Sequence, residues 1–146
     1  MGKVLSLGLG TDILKKVPPV PSYFGTRGIF HFKKIAKILI GVEKLKSIHV
    51  PALELMAVNL EQWEFAVKEI RKKNKSNLGS GYIQTFGTGA KQISVEVTLK
   101  RDAEKAILQC FKQFGLDPKS EKELSAAIDP AQGDLFNGFQ EKRSSL

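Results

Sequence analysis

Apolar and polar positions alternate at helical spacing in three separate stretches of the chain. In residues 26–41, TRGIFHFKKIAKILIG, the side chains Ile29, Phe32, Ile35, Ala36 and Leu39 fall on one face. The spacing predicts a helix with Thr26 as its N-cap and Gly41 at its end. Lys33, Lys34 and Lys37 stand largely off the apolar stripe. The second stretch opens at Pro51, a residue suited to a first helical turn. There Leu53, Met56, Leu60, Trp63, Val67 and Ile70 are spaced 3, 4, 3, 4 and 3 apart, a heptad seam more than three turns long. Such a seam serves as internal core, as a surface between subunits, or as both. Leu55, Val58 and Phe65 lie off it and suggest that this helix touches something besides its own domain. The helix closes on Arg71, Lys72 and Lys73, which suit the negative end of its dipole.

The pattern then changes period. Gly79, Gly81, Gly87 and Gly89 break helical order, and residues 82–86 and 90–93 can pair around Gly87-Thr88-Gly89 as a short β-hairpin. A third helix is expected after Ser94, a good N-cap followed by Glu96 in the first turn. Its apolar face is Leu99, Ala103, Ala106, Ile107, Cys110, Phe111 and Phe114. Gly115 stands where a left-handed cap favours glycine, and Asp117-Pro118 can start another helix. The expected fold is mainly α: a helical-hairpin core of three to four helices, with a short β-hairpin between the second and third. Residues 1–21, loosened by glycines and stiffened by Val17–Pro21, read as a flexible basic arm; residues 22–127 read as the helical domain. Residues 128–146 read as a flexible tail in which Leu135, Phe136 and Phe139 are isolated apolar anchors for a partner.

Composition narrows the function. The longest apolar runs fall short of the roughly 18 residues that a membrane span needs, so no membrane partner is expected. Gly2 and Ser6 fit the N-myristoylation pattern, but that pattern is short and nothing else in the chain supports it. Cys110 is the single cysteine, which excludes an intrachain disulfide and a cysteine-built zinc site; its apolar setting marks it as a small core residue. His31 and His49 have no ligand spacing around them, so no metal is expected. The glycine-rich loop lacks the Gly-Lys-Ser/Thr ending of a phosphate cradle, and no cofactor is expected. Glu61 and Glu64 form a close carboxylate pair, but they lie between lysine-rich stretches and read as solvated. With no clustered nucleophile, base or acid, the chain is not read as an enzyme.

Charge carries more information than composition. The net charge of +8 is uneven: residues 1–50 hold nine Lys/Arg against two Asp/Glu, residues 51–100 seven against five, and residues 101–146 seven against eight. A basic front half points to a polyanion approached from one side. The corner at residues 113–124, QFGLDPKSEKEL, invites comparison with a DNA-reading helix-turn-helix. Its second arm would bring Asp117, Glu121 and Glu123 against phosphates, however, and its caps explain the turn without a ligand. The better candidates for phosphate contact are Arg27, Lys33, Lys34, Lys37, Lys44 and Lys46.

The same corner belongs to a longer string, SVEVTLKRDAEKAILQCFKQFGLDPKSEKEL, that resembles the closing signature of a family of tailed-phage terminase small subunits. The similar steps are Ser94 as a polar cap, Arg101-Asp102-Ala103, Phe114-Gly115-Leu116, Asp117-Pro118 and Leu124. Upstream, PSYFGTRGIFHFKKIAKIL looks like the family's proline-aromatic lead into its first helix, with Phe32 where a tryptophan is usual. Val95 departs from the proline that commonly follows the cap, and the acidic residues usual at the start of the first helix are missing. The resemblance spans about residues 20–125. It implies a non-enzymatic, ring-forming subunit in the cytoplasm of the infected bacterial host. Such a subunit recognises double-stranded viral DNA and regulates the terminase large subunit, which holds the ATPase and nuclease. The alternative is a basic helical adaptor that binds protein and not DNA.

Overall fold

The computed structural model describes residues 11–116. The elements run in the order α1 (Thr26–Gly41), a 3-10 turn (Ser47–His49), α2 (Val50–Ser76), β1 (Ile83–Thr85), β2 (Lys91–Ile93) and α3 (Val95–Gln113). The mainly α expectation holds, with three helices among the described residues and the antiparallel hairpin between the second and third. The helix expected after Pro118 and the tail anchors Leu135, Phe136 and Phe139 lie outside the described residues. The chain divides into two compact units, residues 1–110 and 111–146.

In the first unit α1 packs against α2. Phe32, Ala36 and Leu39 of α1 are fully buried, as are Leu53 and Ala57 of α2, while Met56 is 1% exposed. Ile29 and Ile35 are only half-buried, so the buried stripe of α1 is narrower than the sequence suggests. Phe24, on the lead into α1, meets Phe32 edge to face, with ring centroids 5.7 Å apart. On α2 the seam is buried at its two ends, at Leu53, Met56 and Ile70, and half-exposed at Leu60, Trp63 and Val67. Ala52, Ala57 and Ala66 are buried as well. Cys110 is buried, and its thiol donates to the Ala52 carbonyl at 3.6 Å.

The two ends of α1 differ from the expected caps. Gly25 is the N-cap and supplies no side-chain hydrogen bond, so Thr26 is the first helical residue rather than the cap. Glu61 of α2 lies against this end: a Cβ on Gly28 would stand 3.0 Å from its carboxylate. At the other end Gly41 is the last helical residue, but the turn is made two residues later. Glu43 takes φ 56°, the Glu43 amide donates to the Ile40 carbonyl, and the Lys44 amide donates to the Leu39 carbonyl. That bond pair is a Schellman cap with glutamate where glycine is usual. Just beyond it the chain doubles back on an earlier segment. Ile13 and Lys46 form an antiparallel bridge, and the Leu14 amide donates to the Leu45 carbonyl at 2.8 Å. Within residues 1–21, therefore, the stretch around Ile13 is tied by backbone hydrogen bonds to the α1–α2 connector.

The hairpin forms in the expected place, with Ile83 opposite Ile93 and Thr85 opposite Lys91. Its link to the helices is polar. The Asn74 side-chain oxygen accepts from the amides of Gly79 and Gly81, and the buried Ser94 hydroxyl donates to the Gly81 carbonyl at 2.7 Å. The Ser94 oxygen also accepts from the Val97 amide, which is the predicted N-cap of α3. Gly81 is required here, because a Cβ would run into the Ile70 carbonyl.

In the second unit, Gly115 at φ 67° closes α3. Its amide donates to the Lys112 carbonyl and the Leu116 amide to the Phe111 carbonyl, again a Schellman pair. The glycine cap read from the sequence is therefore present.

Candidate functional site

The outer face of α1 carries a row of like charges. Arg27, Phe30, Lys34 and Lys37 recur at spacings of 3, 4 and 3, with Lys33 beside them, and all five are exposed. From Arg27 to Lys37 the stripe is about 15 Å long at the α-helical rise. Helix α1 contains no Asp or Glu. Among the described residues no carboxylate pairs with Lys33, Lys34 or Lys37. Lys44 and Lys46 sit apart from this stripe in the connector and are half-buried, with Lys46 holding the backbone bridge to Ile13. Four of the six predicted cations thus share one helix face, and two do not.

Arg27 differs from the lysines. Its Nε lies 3.0 Å from one Glu64 oxygen, and its Nη2 lies 3.2 Å from the other. The guanidinium also covers the Phe30 ring at 4.2 Å from the centroid. Glu64 gathers further partners: His31 Nε2 at 2.6 Å and Lys68 Nζ at 2.7 Å. The expectation of a solvated Glu61–Glu64 pair is corrected here, because the Glu64 side chain is only 17% exposed and three basic groups surround it. Lys68, His31 and Arg27, in that order, hold its carboxyl at about 2, well below 4.5. Sequence reasoning missed this hub. The available signal was the spacing of Arg27 with His31 and of Glu64 with Lys68, each pair four apart on its own helix.

The depressed acidity fixes a pH dependence. A carboxylate favoured by the fold stabilises it fully above 4.5 and loses that contribution as pH falls toward about 2. Glu64→Gln is expected to lower stability at neutral pH by about 1–2 kcal/mol. It should also flatten the stability curve between those two pH values. Urea midpoints measured at several pH values for both proteins check this; parallel curves would contradict it.

A second feature lies on the opposite helices. Leu60 and Trp63 of α2 and Ile107 and Leu108 of α3 line an open apolar groove of about 400 Å³, with Glu104 at its edge. Trp63 Nε1 donates to Glu104 at 3.0 Å, and Lys100 pairs with the same oxygen. Leu55 and Phe65, the off-seam residues of α2, are 61% and 56% exposed. Ile83 and Ile93 of the hairpin are each half exposed. Among the described residues no group of three His, Cys, Asp or Glu is placed to hold a metal ion, and no helix is long and apolar enough to cross a membrane.

Comparison with known proteins adds one result. Residues 30–130 match the family described as phage terminase, small subunit. The match covers α1 from Phe30 onward, all of α2, the hairpin and α3. No curated protein and no solved structure matches the chain.

Proposed function

Because the chain belongs to the phage terminase small-subunit family, we propose that it binds double-stranded viral DNA through the outer face of α1. It does so as a ring of identical subunits that regulates the terminase large subunit during genome packaging. It works in the cytoplasm of the infected bacterial host and carries no catalytic step of its own. The observation that carries the reading is the exposed row of Lys33, Lys34 and Lys37 on a helix without a single acid. Phosphates are the partners such a row suits, since each lysine can neutralise one and release its counterion. Arg27 contributes as an anchored cation at the head of the row, and Lys44 and Lys46 extend the basic character into the connector.

Assembly has its own support. Large apolar side chains left open on a surface suit contact with a partner, and here the groove of Leu60, Trp63, Ile107 and Leu108 is open, while Leu55 and Phe65 are exposed elsewhere on α2. Leu60, Trp63 and Val67, the half-exposed middle of the seam, serve the contact between subunits, while Leu53, Met56 and Ile70 remain core. The tail residues Leu135, Phe136 and Phe139 are assigned to the large subunit from sequence alone.

Fluorescence anisotropy with phage DNA between 50 and 200 mM salt tests the DNA reading. Engagement of Arg27 and the three lysines predicts a log–log slope of about −3 to −4, from roughly −0.9 per neutralised phosphate. Absence of binding at low salt would leave the protein-adaptor reading in its place. Light scattering tests the ring: a multi-subunit mass is expected, and a clean monomer at high micromolar concentration rejects it.

A further inference from the structure

Helix α2 carries a second row of cations that the reading of α1 leaves unused. Glu64, Lys68, Arg71 and Lys75 recur at spacings of 4, 3 and 4, with Lys72 beside them, and the four cations are exposed. One or two cations in a last turn answer the helix dipole. Residues 71–76 hold four, and among the described residues only Lys73 of these pairs with a carboxylate, that of Glu96. Arg71, Lys72 and Lys75 are left facing water. The acids nearest to them in sequence on α2, Glu64 and Glu69, are half-buried.

Glu64 joins the two rows. Its Oε1 accepts from Arg27 Nε at 3.0 Å and from Lys68 Nζ at 2.7 Å, so the heads of the α1 and α2 rows meet at one oxygen. The helices are antiparallel, because residues 42–49 join the end of α1 to the start of α2, while Arg27 at the start of α1 reaches Glu64. The α1 row therefore leads from Glu64 back toward the connector. The α2 row leads from Glu64 the other way, past the start of α1. At the helical rise the two rows cover about 15 and 17 Å, or about 30 Å end to end. One turn of duplex DNA measures about 34 Å.

A duplex presents phosphates over the whole of that length, one charge for about every 1.7 Å of axis. A subunit contact on this stretch would instead have to strip water from three cations that lack a carboxylate partner among the described residues. We infer that Arg71, Lys72 and Lys75 contact phosphates of the same duplex that lies along α1, so that one DNA is held by both helices over about one turn. Lys68 is kept on Glu64 and links the two halves of the site. The inference rests on the duplex-binding reading and adds a second helix to its site.

The test uses the full-length protein and a duplex of phage DNA longer than one turn, with anisotropy read between 50 and 200 mM salt. One variant combines Arg71→Ala, Lys72→Ala and Lys75→Ala. A control combines Lys91→Ala, Arg101→Ala and Lys105→Ala, which removes three exposed cations elsewhere in the first unit. Circular dichroism establishes that both are folded. The four cations of α1 alone give a log–log slope of about −3 to −4, and the three of α2 steepen it to about −6. The α2 variant should return the slope to about −3 to −4 and raise the Kd at least about tenfold at low salt, while the control keeps the steep slope. An α2 variant with unchanged Kd and slope confines the site to α1 and overturns the extension, with the α1 reading standing. Equal losses in the α2 variant and the control mark an effect of net charge and overturn it as well. Failure of the unsubstituted protein to bind duplex at low salt overturns both readings.

Discussion

Lys33→Glu, Lys34→Glu and Lys37→Glu combined are expected to raise the Kd for DNA by about 100-fold or more at moderate salt. The reasoning is electrostatic. A solvent-exposed contact between unit charges at 4 Å is worth about 1 kcal/mol in water. Three lost contacts therefore remove about 3 kcal/mol, and the reversed charges add repulsion on top. The salt dependence should flatten together with the affinity, because fewer counterions are released. The fold should tolerate the change. All three side chains are exposed, none is paired with a carboxylate among the described residues, and surface substitutions of this kind usually lie within about 0.5 kcal/mol. Arg27→Ala is a useful contrast. Its guanidinium is committed to Glu64 and Phe30, so its removal should alter stability as well as binding. Anisotropy titrations at two salt concentrations, with circular dichroism on the same samples, decide the matter. A triple variant that binds as tightly as the starting protein would move the DNA site away from α1.

Phe32→Ala should cost about 3–5 kcal/mol, enough to unfold a large share of a domain whose total stability is of the usual 5–15 kcal/mol. Phe32 has no exposed surface and sits between the helices that make the core. Its edge-on contact with Phe24 adds to the loss, since aromatic pairs contribute about 0.5–1.5 kcal/mol beyond burial. The single tryptophan, Trp63, provides a fluorescence probe on the partner helix. Urea unfolding followed at that residue should show the midpoint fall sharply. Phe30→Ala, two residues away, should leave it nearly unchanged. The pair separates a ring that the fold needs from one that it leaves in the open.

These two phenylalanines show how far the sequence could be read. Phe32 was legible because it falls on the apolar stripe with Ala36 and Leu39, and local spacing alone decides that. Ser94 and Gly115 were legible for a similar reason: caps are made by neighbouring residues. The seam on α2 was legible only in part. A strict heptad drifts around a straight helix, by roughly 20° per repeat. Which residues end up covered therefore depends on where the other helices lie. The groove leaves Leu60 and Trp63 partly open, and Ala66 is buried instead. The capping glutamate at residue 43 was hidden, because a left-handed backbone is expected of glycine and Gly41 stood close by. At the candidate site the lysines could be read from their absence from the stripe. Glu64 could be read only as far as its i,i+4 spacing with Lys68, because its partners Arg27 and His31 come from another helix, and no local rule gives the alignment of one helix along another.

That alignment is what the Glu64 cluster decides. Leucines and alanines along α1 and α2 are interchangeable enough that the pair could slide by one turn, about 5.4 Å, and still bury apolar surface. Glu64 cannot follow such a slide. A slide of one turn breaks the arrangement in which Arg27 and His31 both reach it and costs at least one of those two contacts. The cluster therefore acts as an alignment pin. It adds a directional constraint to the close packing of the two helices, and with that packing it sets where Lys33, Lys34 and Lys37 stand relative to α2.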